Sequence, residues 1–317
     1  MKDIPGITEI LAARDRIKEV AARTPLVESP ALSTMFGREV YLKLECFQPT
    51  KVFKIRGAYN KISQLTSDRV VAASSGNHGM AVAYSSRLLG KRCTVVVPET
   101  AVQEKVKTIA EFGAEVVKFG VYSNQRETKA REIAAESGAV FVPPFNDSDV
   151  IAGQGTCGLE IAEQLKDFDS VIVPVGGGGL ISGISTAVKA LSPKSRVFSV
   201  EPEGAAKLSA SLREGRLVHL ESPHSIADGL IPNSVGEIGF EICKKNVDGS
   251  FEVTDEEVVS AMGLLIREAH VFAEPSGAAP VAALLAGREV ERLGRRVVCV
   301  VSGGNVSLEL LRKVLGS

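Results

Sequence analysis

Three features of the sequence predict an α/β protein built on largely parallel sheets. Short apolar runs alternate with helical stretches along most of the chain, most of these runs are apolar at almost every position, and several end in glycine-rich turns. The runs lie at 40–44, 69–74, 93–98, 115–119, 140–143, 170–175, 196–201 and 296–301. A strand apolar on both faces belongs in a sheet covered on both sides, as parallel sheets are. Between the runs, 79–89, 103–112, 127–136, 158–165, 180–191 and 258–270 carry apolar residues near a 3.6-residue period. This alternation predicts helices on both sheet faces. The 317 residues suffice for one large or two medium domains, and no repeat or low-complexity linker marks a boundary.

Composition narrows the function by exclusion. Hydrophobic residues make up 44% and charged residues 24%, with a net charge of −1. That is an ordinary globular balance without the basic footprint of a nucleic-acid or anionic-membrane partner. No apolar run approaches the ~20 residues of a membrane helix, and Met1-Lys2-Asp3-Ile4-Pro5 lacks the apolar core of a signal peptide. Cys46, Cys93, Cys157, Cys243 and Cys299 are scattered without a CxxC pair, which predicts a reduced, cytoplasmic protein without a zinc ribbon. The 30 glycines exceed the roughly 7% average by about a third, and several are clustered.

Open α/β sheets bind ligands beyond the carboxyl ends of their strands, so the glycines that follow strands matter most. Gly176, Gly177, Gly178 and Gly179 follow one apolar run and open a helix. A plain turn needs one or two glycines; four bare amides at a helix N-terminus make an anion cradle suited to phosphate. Neither a dinucleotide GxGxxG nor a Walker motif is present there. Ser74-Ser75-Gly76-Asn77-His78-Gly79 is a second strand-to-helix turn, suited to a carboxylate or, equally, to simple helix capping. His78 reads as a neutral histidine packed in that turn, with no catalytic role. Ser302-Gly303-Gly304-Asn305 is the third turn and alone reads as a strand ending. Lys54, flanked by Phe53 and Ile55 near the start of a helix, is placed to be partly desolvated, which favours the neutral, nucleophilic amine.

Taken in order, Phe53-Lys54-Ile55-Arg56-Gly57-Ala58, the turn at 74–79, the four glycines and Ser302-Gly303-Gly304-Asn305 give the chain a resemblance to a known group. It is similar to the threonine dehydratase and serine racemase family of fold type II pyridoxal-phosphate enzymes, the tryptophan-synthase-β-like group. Thr24-Pro25-Leu26, Tyr41-Leu42-Lys43-Leu44-Glu45, Val150-Ile151-Ala152-Gly153-Gln154-Gly155-Thr156, Ile226-Ala227-Asp228-Gly229 and Glu274-Pro275-Ser276-Gly277 agree with it. The resemblance implies two doubly wound domains with mostly parallel central sheets and pyridoxal phosphate in the cleft between them. It implies a large domain of residues 1–48 and 147–317, a small domain of residues 49–146, and a homodimer. Lys54 then looks like the Schiff-base lysine, Phe53 packs near the pyridine ring, and Asn77 is the partner of the phenolic oxygen. Gly176, Gly177, Gly178, Gly179 and Leu180 resemble the phosphate cradle, and Ser302 the partner of the pyridine nitrogen. Ser74, Ser75, Gly76, Asn77 and His78 resemble the substrate-carboxylate turn. A serine at the ring nitrogen leaves a weaker electron sink than a carboxylate would, which favours prompt β-elimination over transamination. The implied activity is dehydration and deamination of L-threonine or L-serine to a 2-oxo acid and ammonia.

Four departures qualify this expectation. Lys51-Val52 stands where many relatives have Gly-Ser, adding bulk near Lys54. Ser75 resembles the serine of racemases rather than the alanine of many dehydratases, so a second acid and racemisation are an alternative, as is a 3-hydroxyaspartate dehydratase. Glu201 is present, but Lys207 stands where an acidic cation ligand is expected in some relatives, so no metal is expected. The chain stops soon after Asn305, so no C-terminal regulatory domain is expected.

Overall fold

The computed structural model describes residues 4–74, 76–101 and 103–316. Its strands are β1 (Leu26–Glu28), β2 (Glu39–Leu44), β3 (Arg69–Ala73), β4 (Arg92–Val97), β5 (Glu115–Lys118), β6 (Val140–Phe141), β7 (Ser170–Pro174), β8 (Arg196–Pro202), β9 (Gly249–Val253) and β10 (Arg296–Val301). The helices begin with α1 (Ile7–Ile17), α2 (Pro30–Phe36), α3 (Lys54–Ile62), α4 (Asn77–Leu88), α5 (Gln103–Glu111), α6 (Ser123–Ser137), α7 (Ser148–Gln164), α8 (Gly179–Leu191) and α9 (Lys207–Glu214). Beyond them lie α10 (Glu237–Asn246), α11 (Asp255–Ala269), α12 (Pro275–Ala286) and α13 (Leu308–Leu315).

Two sheets form, a six-stranded one ordered β1-β2-β10-β7-β8-β9 and a four-stranded one ordered β5-β4-β3-β6. Among the described residues these strands pair in parallel, except the edge strand β1 with β2. The central strands β7 and β10 are buried almost throughout, with Ile172, Val173, Val298 and Val300 fully enclosed. Their parallel register sets Val297 beside Ser170 and Cys299 beside Ile172. The carboxyl ends of both strands therefore leave the sheet at one edge, and the four glycines and Ser302 emerge together. The same edge receives the end of β2, where Leu44 lies beside Val301.

All eight expected strands are present. The chain adds β1 and β9, which sequence periodicity did not reveal because neither is a continuous apolar run. The largest shift is in α7, expected at 158–165 but starting at Ser148. Each of its glycines marks a close helix contact. A Cβ at Gly153 would fall 2.5 Å from the Arg56 carbonyl oxygen on α3. One at Gly155 would meet Ile10 of α1 at 2.6 Å, and one at Gly158 the Ile184 carbonyl of α8 at 2.8 Å. Asp147 caps the helix through its side chain, accepting from the amides of Asp149 and Val150. Among the described residues no helix is long and apolar enough to cross a membrane.

Candidate active site

Lys54 is the first residue of α3, and its Nζ donates to the Pro144 carbonyl oxygen at 2.8 Å. It also lies 5.2 Å from the centroid of the Phe53 ring. Burial lowers the Lys54 pKa to about 8, against the opposing pull of the Glu274 carboxylate. Burial thus shifts the amine toward its neutral form.

The helix that carries Lys54 is held by a buried ionic cluster. Arg56, two residues on, donates from Nε to Glu45 Oε2 at 2.7 Å and from Nη1 to Glu160 Oε1 at 2.6 Å. Lys43 Nζ reaches Glu160 Oε2 at 2.6 Å. Two cations and two carboxylates balance, as burial requires. Burial would raise the Glu45 pKa, but Arg56, Lys43 and the Thr24 hydroxyl outweigh it and hold Glu45 at about 2. The cluster ties α3 to β2 and α7 and so fixes the direction in which Lys54 leaves its helix.

The residue after Pro144 packs on the glycine turn. The Phe145 ring lies against it: a Cβ at Gly177 would fall 2.0 Å from Phe145 Cδ1, and one at Gly179 3.1 Å from Phe145 Cβ. At Gly176 a Cβ would fall 2.3 Å from the Gly229 carbonyl oxygen. Gly178 takes φ +87°, a left-handed conformation that favours glycine. The first backbone bond into α8 runs from Ser182 N to Gly178 O at 3.0 Å. The amides of Gly179, Leu180 and Ile181 therefore have no partner within the helix. A turn with no room for side chains, ending in free amides at a helix N-terminus, fits a phosphate.

The other two turns meet beside the segment that carries Lys54. Asn77 begins α4; its Nδ2 donates to Glu274 Oε1 at 2.8 Å, and its Oδ1 accepts from Asn305 Nδ2 at 2.9 Å. Both sides of the Asn77 amide are thereby oriented. Asn305 also donates to the Thr50 carbonyl at 3.1 Å. Phe53 N donates to the Ser302 carbonyl at 3.1 Å, and Val52 bridges Gly303, so Ser302 is pinned next to the lysine segment. Ser302 is buried at the end of β10. Val52 is wholly buried against Gly303, while Lys51 is exposed at φ +58°.

Ser74 and Gly76 are half-buried at the mouth of the cleft, and the Gly76 amide donates to Ser74 Oγ at 3.2 Å. Ser75 lies outside the described residues. His78 is buried with Nε2 2.9 Å from the Val142 carbonyl oxygen. Burial first, and then the Lys54 charge, lowers its pKa to about 3. It is neutral, and its ring is committed to the end of β6. Only its backbone remains to the turn it was assigned to.

Three participants escaped the sequence reading. Glu274 was visible only as part of a matching stretch; burial raises its pKa to about 7, partly offset by the Asn77 amide. Phe145 carried no signal beyond a loop position. Ser276, in the first turn of α12, has a buried Oγ without a hydrogen-bond partner, beside Gly229. An unsatisfied buried hydroxyl next to the glycine turn is a further mark of a polar ligand site.

The pyridoxal-phosphate dependent enzyme family matches residues 17–303. An L-threonine ammonia-lyase from Thermotoga maritima is 42% identical over 98% of this chain and 78% of the relative. An L-threo-3-hydroxyaspartate ammonia-lyase from Saccharomyces cerevisiae is 40% identical over 96% of this chain and 95% of the relative. The structure of maize serine racemase aligns at a TM-score of 0.94 with 36% identity, covering 99% of this chain and 98% of that one.

Proposed function

The chain belongs to the pyridoxal-phosphate dependent enzymes, and within that family we propose that it eliminates water from L-threonine and L-serine, with Lys54 as cofactor tether and Cα base. It is a lyase that dehydrates hydroxy amino acids. The carrying observation is the Lys54 amine, lowered to about 8 and aimed at Pro144 in a cleft that also holds the bare glycine turn.

The cofactor, when bound, supplies the electron sink that acidifies the Cα proton. The chain supplies the rest. Amides of 176–180 bind the phosphate. Asn77, its amide oriented by Glu274 and Asn305, directs a donor to the phenolic oxygen. Ser302 offers a neutral hydroxyl at the ring nitrogen, and Phe53 packs beside the ring. Ser74, Gly76 and Asn77, with the His78 backbone, hold the substrate carboxylate. Lys54, relieved of its tether, takes the Cα proton on its neutral amine. Hydroxide leaves Cβ with a proton as water, and the enamine released hydrolyses to a 2-oxo acid and ammonia.

The domains follow the sheets: the large one takes residues 1–48 and 147–317, and the small one takes 49–146. The strands support this division, since the six-stranded sheet uses residues 26–44 and 170–301 and the four-stranded sheet 69–141. A cytoplasmic homodimer completes the reading.

One observation favours a second substrate, a 3-hydroxy dicarboxylic amino acid. Lys105 Nζ pairs with Asp228 at 2.5 Å and stands 3.8 Å from where a Gly76 Cβ would be. An ammonium at that mouth complements a second carboxylate. The test is turnover of L-threonine, L-serine, D-serine and threo-3-hydroxyaspartate by the parent and by Lys54→Ala, following oxo acid and enantiomer. Oxo-acid formation by the parent and none by the variant is expected. Retained turnover in Lys54→Ala, or D-serine formed from L-serine with little pyruvate, would overturn the reading.

A further inference from the structure

Lys207 and Glu201 lie apart from the reacting groups, and both side chains are wholly buried. Lysine is rarely so enclosed unless paired. Its Nζ is surrounded by four oxygens: the carbonyls of Val175, Ala205 and Leu230, each at 2.9 Å, and Glu201 Oε1 at 3.0 Å. An ammonium has three protons, so the three carbonyls can take one each while the carboxylate balances the charge. Glu201 is held in turn by the amides of Leu208 and Ser209 at the start of α9, at 3.0 and 2.8 Å. An oxygen-only cage of three carbonyls and a carboxylate has the donor chemistry of a hard-cation site.

The two outer carbonyls locate its effect. Val175 immediately precedes Gly176, and Leu230 immediately follows Gly229. These two glycines abut, with a Gly176 Cβ falling 2.3 Å from the Gly229 carbonyl oxygen. A single charge thus draws together the segment that opens the phosphate turn and the segment that closes over it. A hydrophobic residue at 207 would leave three carbonyls without their donor, the Glu201 carboxylate without its counter-charge, and the turn without its anchor.

We infer that Lys207 is a positioning residue, a covalently attached cation whose ammonium, in a cage that would otherwise take a free metal ion, fixes the glycine turn in its cofactor-binding shape. No proton or substrate passes through it. The part concerning cofactor affinity rests on the function proposed above; the part concerning cation occupancy does not.

The experiment compares the parent, Lys207→Ala, Lys207→Met and the double variant E201Q/K207M, each with chelator and with millimolar Mg²⁺, Ca²⁺ or Mn²⁺. Melting temperature and the dissociation constant for pyridoxal phosphate are read in each case. The parent is expected to respond to neither chelator nor cations. Lys207→Ala should bind the cofactor about 10- to 100-fold more weakly in chelator, by analogy with the loss when the partners that orient metal ligands are removed. A divalent cation should restore both its affinity and its melting temperature. Lys207→Met keeps its stem in the cage and should not be rescued. The double variant, neutral in the cage, should fold, bind the cofactor weakly and ignore cations. Parent-like affinity of Lys207→Ala in chelator would overturn the inference, as would its failure to respond to any cation, or a cation response of the parent. If the single variants do not fold, parent-like affinity of the double variant overturns it and weakened affinity upholds it. Failure of every variant to fold in both media also overturns it, because a device confined to the turn leaves the fold intact. A parent that binds no cofactor would sink the proposed function, while the cation-dependent melting of Lys207→Ala would still decide the occupancy of the cage.

Discussion

The two ends of the cleft are held in different ways. At the lysine end, side chains grip side chains: Arg56, Lys43, Glu45 and Glu160 clamp the helix that carries Lys54. At the phosphate end it is the main chain that is held: Gly176 lies on Gly229, the Phe145 ring packs on Gly177, and one ammonium gathers the carbonyls on either side. The difference matches the chemistry proposed for each end. A base must keep one side chain aimed, so its helix is fixed by directional ion pairs. A phosphate is bound by amides, so what must be fixed there is the path of the main chain.

The contrast can be broken at either end. Lys54→Ala removes the group itself; turnover should fall by about 10⁴-fold or more, and the visible absorption that pyridoxal phosphate gives with the parent should be lost. Arg56→Ala leaves two carboxylates buried without their guanidinium, and denaturant unfolding should report a loss of about 3–5 kcal/mol. A loss under 1 kcal/mol would mean that the clamp is not what holds α3. Gly177→Ala should act oppositely. Its methyl collides with the Phe145 ring, so cofactor affinity should fall more than stability, which changes by about 1–3 kcal/mol from overpacking.

Protonation offers a gentler probe of the lysine end. Capture of added pyridoxal phosphate by the cofactor-free protein needs the neutral Lys54 amine. Its rate should climb about tenfold per unit as pH rises toward 8 and level off above it. Glu45, held near 2 against an ordinary 4.5, contributes stability that is complete above pH 4.5. That contribution should be lost as pH falls through 2, and an acid titration followed by melting temperature checks the sign. The smallest effect belongs to the exposed Lys105–Asp228 pair. Lys105→Ala should change stability by less than about 1 kcal/mol, yet lower kcat/KM for threo-3-hydroxyaspartate more than for L-threonine.

Much of the candidate site was legible because the residues proposed for it are contiguous. Phe53-Lys54, the four glycines and Ser302 each stand at a strand or helix end, where apolar runs stop and side chains must face a cleft. The participants that were missed act through long-range contacts. Glu274 matters because Asn77, 197 positions away in the chain, donates to it. Phe145 matters because Gly177 has no side chain to keep it off. In the same way β1 and β9 escaped notice because edge strands need no continuous apolar run, and the start of α7 because its glycines look like breaks until the neighbouring helices are in place.

The sequence by itself determined an α/β fold, the strand-end turns and the lysine. These follow from local periodicity and from residues whose backbone or charge is restricted wherever they occur. Only the tertiary structure decided that the His78 ring turns to the Val142 carbonyl, that Asn77 is oriented from both sides, and that Lys207 sits in a cage of oxygens. Those outcomes depend on which distant carbonyls and carboxylates surround a group and on how much water burial removes from it, and neither is encoded in the residues beside it.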